Sequence, residues 1–466
     1  MSILDEIVSL KKSEILALKS DGGGERIRRA AASAAECAPC HGFERALRSP
    51  GIRVVAEIKR ASPSKGDIAP HLDPAALARE YERDGAAAIS VLTERNFFKG
   101  SLEDFAAARG SVPTLPLLRK DFIIDPIQIH ESRACGADAV LLIVRILDDS
   151  RLAESYALAR ELGMDALVEV YDESDARRAV ALGATLVGIN NRDLASFSVD
   201  NDNAGRIARI FPPGVKTVAL SGVRNPADVE AMMRGGIDTF LIGEALSKNP
   251  ALLPEILRSA PSSDAIKICG ITRQADASLC AALGFGMVGF VFHKGSPRHI
   301  APAAAGELRT GAAGRVGVFV GAHIGEIRAT VEEARLTAVQ LHPAKGEISD
   351  TTISDDEISE LIGRGIGVIK VFRDADAALD TAPGVRILLE CSGGDLPGGN
   401  GKEWNWNKCG TGIPAFGIAG GLTPDNLIRA ARESQAAWFD ISSGVEISPG
   451  IKNHDKLRSI ANICRH

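Results

Sequence analysis

The sequence predicts an α/β chain of two tandem (β/α)8 barrels, the first with an N-terminal helical extension. Three observations lead there. Apolar runs of four to seven residues recur with helix-length segments between them, and the count reaches eight and then restarts for eight more. The runs give way to polar or Gly-rich loops, as parallel strands buried on both faces do. Between the two series lies Arg258-Ser259-Ala260-Pro261-Ser262-Ser263-Asp264, a small-residue and Pro stretch suited to a domain boundary. The expected division is 1–258 for the first barrel, 259–264 for the linker and 265–466 for the second. Two open doubly wound sheets are the alternative, disfavoured because no G-x-G-x-x-G opens either first strand-to-helix turn.

Residues 1–48 read as a helical lead-in, with Ile3, Ile7, Leu10, Ile15 and Leu18 at roughly helical spacing and Asp21-Gly22-Gly23-Gly24 ending the first piece. The first eight strands are expected at 53–58, 87–92, 115–118, 138–144, 165–170, 185–189, 216–220 and 238–242. The second eight are expected at 266–269, 287–292, 316–320, 338–341, 367–371, 385–389, 415–418 and 438–441.

Composition narrows the function classes. With 45% apolar and 24% charged residues, the chain reads as an ordinary soluble globular protein. A net charge of −6 gives no electrostatic footprint for nucleic acid. Runs such as Ala139-Val140-Leu141-Leu142-Ile143-Val144 are strand-sized, so no membrane span is expected. Met1–Glu6 carries no basic region leading into an apolar one, and a cytoplasmic location follows by default. Eight cysteines in a chain of this length make no disulfide framework. Cys37-Ala38-Pro39-Cys40-His41 fits the pattern for covalent haem attachment, but without an export signal it reads as chance within the lead-in.

In barrels of this kind chemistry collects at the C-terminal ends of the strands, and the loops after strands 7 and 8 often hold phosphate. In the first half those ends read Ser221-Gly222 and Gly243; in the second, Gly420-Gly421 and Ser442-Ser443-Gly444. Small residues let backbone N–H groups approach a phosphate. Glu57 and Lys59 lie two apart and share one face at the end of the first strand. Lys120 follows the third strand, Glu169 ends the fifth, and Asn190 with Arg192 follows the sixth. Singly, each reads as readily as a rim charge in water. Together at one mouth, Glu57, Lys59, Lys120 and Glu169 form a mixed cluster able to perturb one another's ionisation, as acid–base catalysis requires.

Five stretches carry a family resemblance: Glu57–Gly66, Ile89–Thr93, Phe97–Ser101, Lys120–Ile123 and Gly188–Leu194. On these, residues 1–258 resemble indole-3-glycerol-phosphate synthase. The resemblance implies closure of the indole ring of 1-(2-carboxyphenylamino)-1-deoxyribulose 5-phosphate with loss of CO2 and water. It implies Lys120 as general acid, Glu169 as general base for dehydration, Lys59 held by Glu57 near the substrate carboxylate, and Asn190 as a positioning residue. Ser62, Arg192, Ser221, Gly222 and Gly243 are the implied substrate and phosphate contacts. One position departs. The family has Glu-Ser-Gly at the end of strand 7 where this chain has Leu220-Ser221-Gly222, so reduced ring closure is expected.

The second half opens with Ile266-Lys267-Ile268-Cys269-Gly270-Ile271-Thr272, which puts a thiol at the end of a strand. Alone, it reads as a buried structural cysteine or as a proton-transfer group. Ser296-Pro297-Arg298, Gly317-Val318-Phe319, Val339-Gln340-Leu341-His342, Ala419-Gly420-Gly421-Leu422 and Asp440–Glu446 complete a pattern that resembles phosphoribosylanthranilate isomerase over 264–466. The resemblance implies an Amadori rearrangement of N-(5-phosphoribosyl)anthranilate, with Cys269 as general base and Arg298 on the anthranilate carboxylate. Gln340, His342, Gly420, Gly421, Ser442, Ser443 and Gly444 are the implied binding residues. Glu390 stands where the family has an aspartate as general acid, and Asp395 is its rival in the loop that follows. Neither family needs a metal or an organic cofactor. The expected partners are small phosphorylated substrates, with no nucleic acid or membrane, and a monomer is expected. The alternative is a phosphate-ligand-binding or regulatory protein in which one barrel has lost turnover.

Overall fold

The computed structural model describes residues 3–49, 51–193, 199–258, 260–344, 347, 349–350, 352–379, 381–390, 406, 413 and 415–464. Asp395 and Leu194 lie outside the described residues. The chain divides into two compact units, Met1–Arg258 and Ser259–His466.

Each unit is built round a closed ring of eight parallel strands. In the first ring, strand 1 (Arg53–Ile58) pairs with both strand 2 (Ala88–Leu92) and strand 8 (Thr239–Ile242), which closes it. Strands Leu117–Lys120, Ala139–Ile143, Asp165–Val170, Leu186–Asn190 and Lys216–Leu220 complete the circuit. The third strand begins two residues later than 115–118. Pro116 has no N–H to give a ladder, and the Leu115 carbonyl is taken by the Arg109 guanidinium. Pairing therefore starts with the Pro116 carbonyl accepting from Ile89, and Lys120 becomes the last residue of the strand rather than the second residue of the loop after it.

Val55, Leu118, Leu141, Leu167, Leu186, Val218 and Leu241 point inward and fill the first ring. Two residues further along three of those strands, the same inward column turns ionisable at Glu57, Lys120 and Glu169. The site is thus the polar top layer of an apolar plug.

The lead-in attaches at both ends of this ring. Helix Ile3–Lys19 lies by the strand ends, where the buried Lys11 ammonium pairs with Asp121 at 2.9 Å. A 3-10 turn at Ser20–Gly22, with Asp21 at φ 50°, breaks it from helix Gly23–Cys37. The short helix Phe43–Leu47 seats Phe43 and Leu47 in the interior cluster at the opposite end. Between these helices the His41 N–H donates to Asp138 at 2.7 Å and the Cys40 thiol to the Ala137 carbonyl, so these two residues are tied to the ring while Cys37 is exposed.

The second ring runs Ile266–Cys269, Met287–Val291, Gly314–Val320, Ala338–His342, Gly367–Phe372, Val385–Glu390, Phe416–Ala419 and Trp438–Ile441, and closes by pairing of its first and last members. Met287, Val316, Ile369, Leu388 and Trp438 fill it. The indole of Trp438 lies across Gly417, where an added Cβ would come within 2.2 Å of the ring, and the Arg386 guanidinium lies over the ring at 4.8 Å from its centroid.

Candidate active sites

In the first ring, Glu57 is 1% exposed and bonds to two ammonium groups. One oxygen lies 2.8 Å from Lys59 Nζ and the other 3.5 Å from Lys120 Nζ. Burial opposes the charge on Glu57, but Lys120 and Lys59 outweigh it and hold the carboxyl down at about 2. Burial likewise opposes the charge on Lys120, yet Glu57 and Glu169 raise its pKa, so the ammonium is kept loaded. Glu169 is pushed the other way: burial raises its pKa, against the pull of Lys120 and a hydrogen bond from Asn190. That bond runs from Asn190 Nδ2 to Glu169 at 3.0 Å, while the Arg192 N–H holds Asn190 Oδ1 at 2.9 Å. A charged acid and a carboxyl of raised pKa thus share one desolvated mouth.

The small-residue turns stand beside them. Ser221 takes a left-handed φ of 68° and is followed by Gly222 at 93°, a bend fixed by Asn191 Nδ2 on the Ser221 carbonyl. At Gly243 a Cβ would come within 2.2 Å of Glu57, so this position makes room for the carboxylate as well as opening a loop. Ser62 belongs to a two-stranded hairpin, Ala61–Ser62 with Gly66–Asp67, and Arg192 reaches Ser64 in that hairpin's turn at 3.4 Å. Leu220 faces inward in register with Asn190, 2% exposed and packed over Gly188. Where the resemblance leads one to expect a carboxylate, the chain packs an apolar side chain.

In the second ring, one pocket gathers Cys269, Arg298, Gln340, His342, Glu390, Gly420, Gly421, Ser442 and Ser443. Gly444 stands behind this wall in the turn Ser443–Val445, against the Leu422 carbonyl. Gln340 and His342 are buried in a ladder of polar contacts. Gln340 Nε2 donates to Asp440 at 3.3 Å and meets His342 Nε2 at 2.7 Å, and His342 Nδ1 lies 3.6 Å from Glu390. Burial, with Lys267 and Arg373 nearby, pulls the His342 pKa down to about 3, so the ring is neutral. The amide N–H then pairs with a bare Nε2, which leaves the imidazole proton on Nδ1, toward Glu390. Arg298 is aimed by Glu446 at 2.8 Å, and Glu446 is in turn held by the buried Lys452 at 2.8 Å.

Sequence reasoning assigned no role to four charged residues at or behind this second site: Lys267, Asp440, Glu446 and Lys452. Lys267 Nζ pairs with Asp440 at 2.7 Å, the lysine 0% exposed. A signal existed for Lys267, since it precedes Cys269 by two on an otherwise apolar strand, the spacing that singles out Glu57 and Lys59.

Comparison with known proteins bears on both units. The family described as "Indole-3-glycerol phosphate synthase" matches residues 4–258, and "N-(5'phosphoribosyl)anthranilate (PRA) isomerase" matches residues 266–462. The tryptophan biosynthesis protein TrpCF of Helicobacter pylori is 34% identical over 432 residues, which cover 91% of this chain and 92% of that protein. A multifunctional tryptophan biosynthesis protein of Schizosaccharomyces pombe is 34% identical over 91% of this chain, which spans 61% of its length. The indole-3-glycerol phosphate synthase of Mycobacterium ulcerans is 48% identical over 53% of this chain and 90% of its own. The chain therefore belongs to the bifunctional tryptophan biosynthesis proteins, with an indole-3-glycerol phosphate synthase unit followed by a phosphoribosylanthranilate isomerase unit.

Proposed function

We propose that the chain catalyses two consecutive steps. The second unit isomerises N-(5-phosphoribosyl)anthranilate to its ribulose form, and the first closes the indole ring on that product with loss of CO2 and water. The observation that carries this reading is that each mouth pairs a proton donor and acceptor with a small-residue cradle on the same rim.

In the isomerase unit, Cys269 removes the proton from the carbon beside the anomeric centre, and Glu390 gives one to the sugar-ring oxygen. One proton leaves and one arrives, as an isomerisation requires. Arg298, pre-aimed by Glu446, receives the anthranilate carboxylate. In the synthase unit, the ketone oxygen must finally depart as water, so it has to be protonated, and Lys120 is the donor. Glu169 takes the proton released in dehydration, and Lys59 faces the substrate carboxylate. Phosphate sits at Ser221-Gly222 and Gly243 in one unit and at Gly420-Gly421 and Ser442-Ser443 in the other. We read the protein as monomeric and cytoplasmic. Among the described residues no helix is long and apolar enough to cross a membrane.

Separate assays of the half-reactions test the assignment. Lys120→Ala should abolish ring closure and spare isomerisation, and Cys269→Ala should do the reverse. Loss of both reactions in either variant, or of neither, would overturn it. Leu220 favours a second reading for the first unit alone, ligand binding with diminished turnover. Leu220→Glu should then raise the ring-closure rate, and an unchanged or lower rate rejects that view of the residue.

A further inference from the structure

A buried thiol is a poor base unless something nearby favours its thiolate. Cys269 has apolar neighbours in Val291 and Val318. Yet Lys267 shares its strand and its inward face, two residues away. The two side chains meet opposite Gly289. A Cβ there would come within 2.8 Å of Cys269 Sγ and 3.1 Å of Lys267 Cε, so the glycine leaves the space in which stem and sulfur lie together.

We propose that Lys267, anchored by Asp440, is the counter-charge that lets Cys269 act as a base, with Gly289 providing the room for the contact. Lys267 acts through Cys269 and is a positioning residue, and the inference rests on Cys269 as the base of the isomerase unit.

The charges facing the thiol are few. Lys267 comes from its own strand and Asp440 from the strand closing the ring. Lys452, from the hairpin Glu446–Ser448 with Ile451–Lys452, donates to the Cys269 carbonyl. Arg298 lies against Gly270, tied to Glu446. The neighbouring second and third strands contribute Gly289, Val291 and Val318, and His293, His342 and Glu390 line the same pocket as the thiol. Burial pushes the Cys269 thiol up, Lys267 and Lys452 draw it back, and Asp440 pushes it up again. Asp440 therefore does two opposed things: it keeps Lys267 charged and in place, and it repels a thiolate. Without it, the thiolate becomes the remaining close anion for the ammonium.

This gives substitutions of opposite sign, which a merely structural role would not. The test is the pH dependence of Cys269 alkylation by iodoacetamide in the full chain, read peptide by peptide by mass spectrometry. Lys267→Met should raise the midpoint by about 1 pH unit or more. Asp440→Asn should lower it. A midpoint not raised by the first, or not lowered by the second, overturns the inference. Should Lys267→Met fail to fold, Asp440→Asn and Lys267→Arg decide, the latter keeping the midpoint near that of the parent. The isomerisation pH profile, measured in parallel, separates the two readings. If the alkylation midpoint moves and the acid limb of isomerisation does not, the pairing stands and Cys269 is not the base.

Discussion

Glu57 is almost fully buried and held ionised by two lysines, and that has a consequence for acid stability. Its folded pKa of about 2 lies below the ordinary 4.5, so its contribution is present above about pH 4.5 and is lost as the pH falls toward 2. Glu169 is the opposite case, with a pKa raised by burial and restrained partly by the Asn190 hydrogen bond. Asn190→Leu removes that donor, so the acid limb of ring closure should move to higher pH in a kcat profile; a limb that stays put would remove Glu169 from the role of base. Glu57, Lys59 and Glu169 were legible in the sequence because ionisable side chains in apolar strand runs have few structural uses. Asp440 was not. Its partner Lys267 is distant in sequence, and they meet only because the first and last strands of the ring pair with Lys267 beside Asp440. Local spacing carries no information about such a closure. Lys267 itself was legible by the same rule that found Lys59, but attention to the thiol hid it.

At the scale of elements, sixteen strands were visible as apolar runs, while their ends depended on partners. The third strand shows why: Pro116 and the Arg109 contact with Leu115 shift its start, and only the shifted strand ends on Lys120. The N-terminal helix is another tertiary matter. Lys11 is buried against Asp121, which also accepts from Thr93 and pairs with Arg119. Asp121 follows Lys120 directly, so this helix braces the end of the strand that carries the proposed acid. Lys11→Met leaves Asp121 with fewer partners and should cost about 1–3 kcal/mol, seen as a lower thermal midpoint for the first unit. An unchanged midpoint would mean that the helix is not held by this pair.

For the whole molecule, each closed ring has its own core, so calorimetry should resolve two transitions, with Lys11→Met moving only one of them. The tandem repeat was the most legible feature of all, since two series of eight runs leave few other architectures. What fills each ring was less so. Trp438 lies flat across Gly417 with Arg386 over it, and the missing side chain at 417 is the reason it fits. Gly417→Ala should push the indole aside and shift tryptophan emission to longer wavelength, and shrinking the ring in Gly417→Ala/Trp438→Phe should restore the lost melting temperature. If the single variant melts like the parent, the fit is looser than 2.2 Å implies. Positions 417 and 438 are therefore free to drift only as a couple. A lineage that acquires a methyl group at the one must first have given up its bulk at the other.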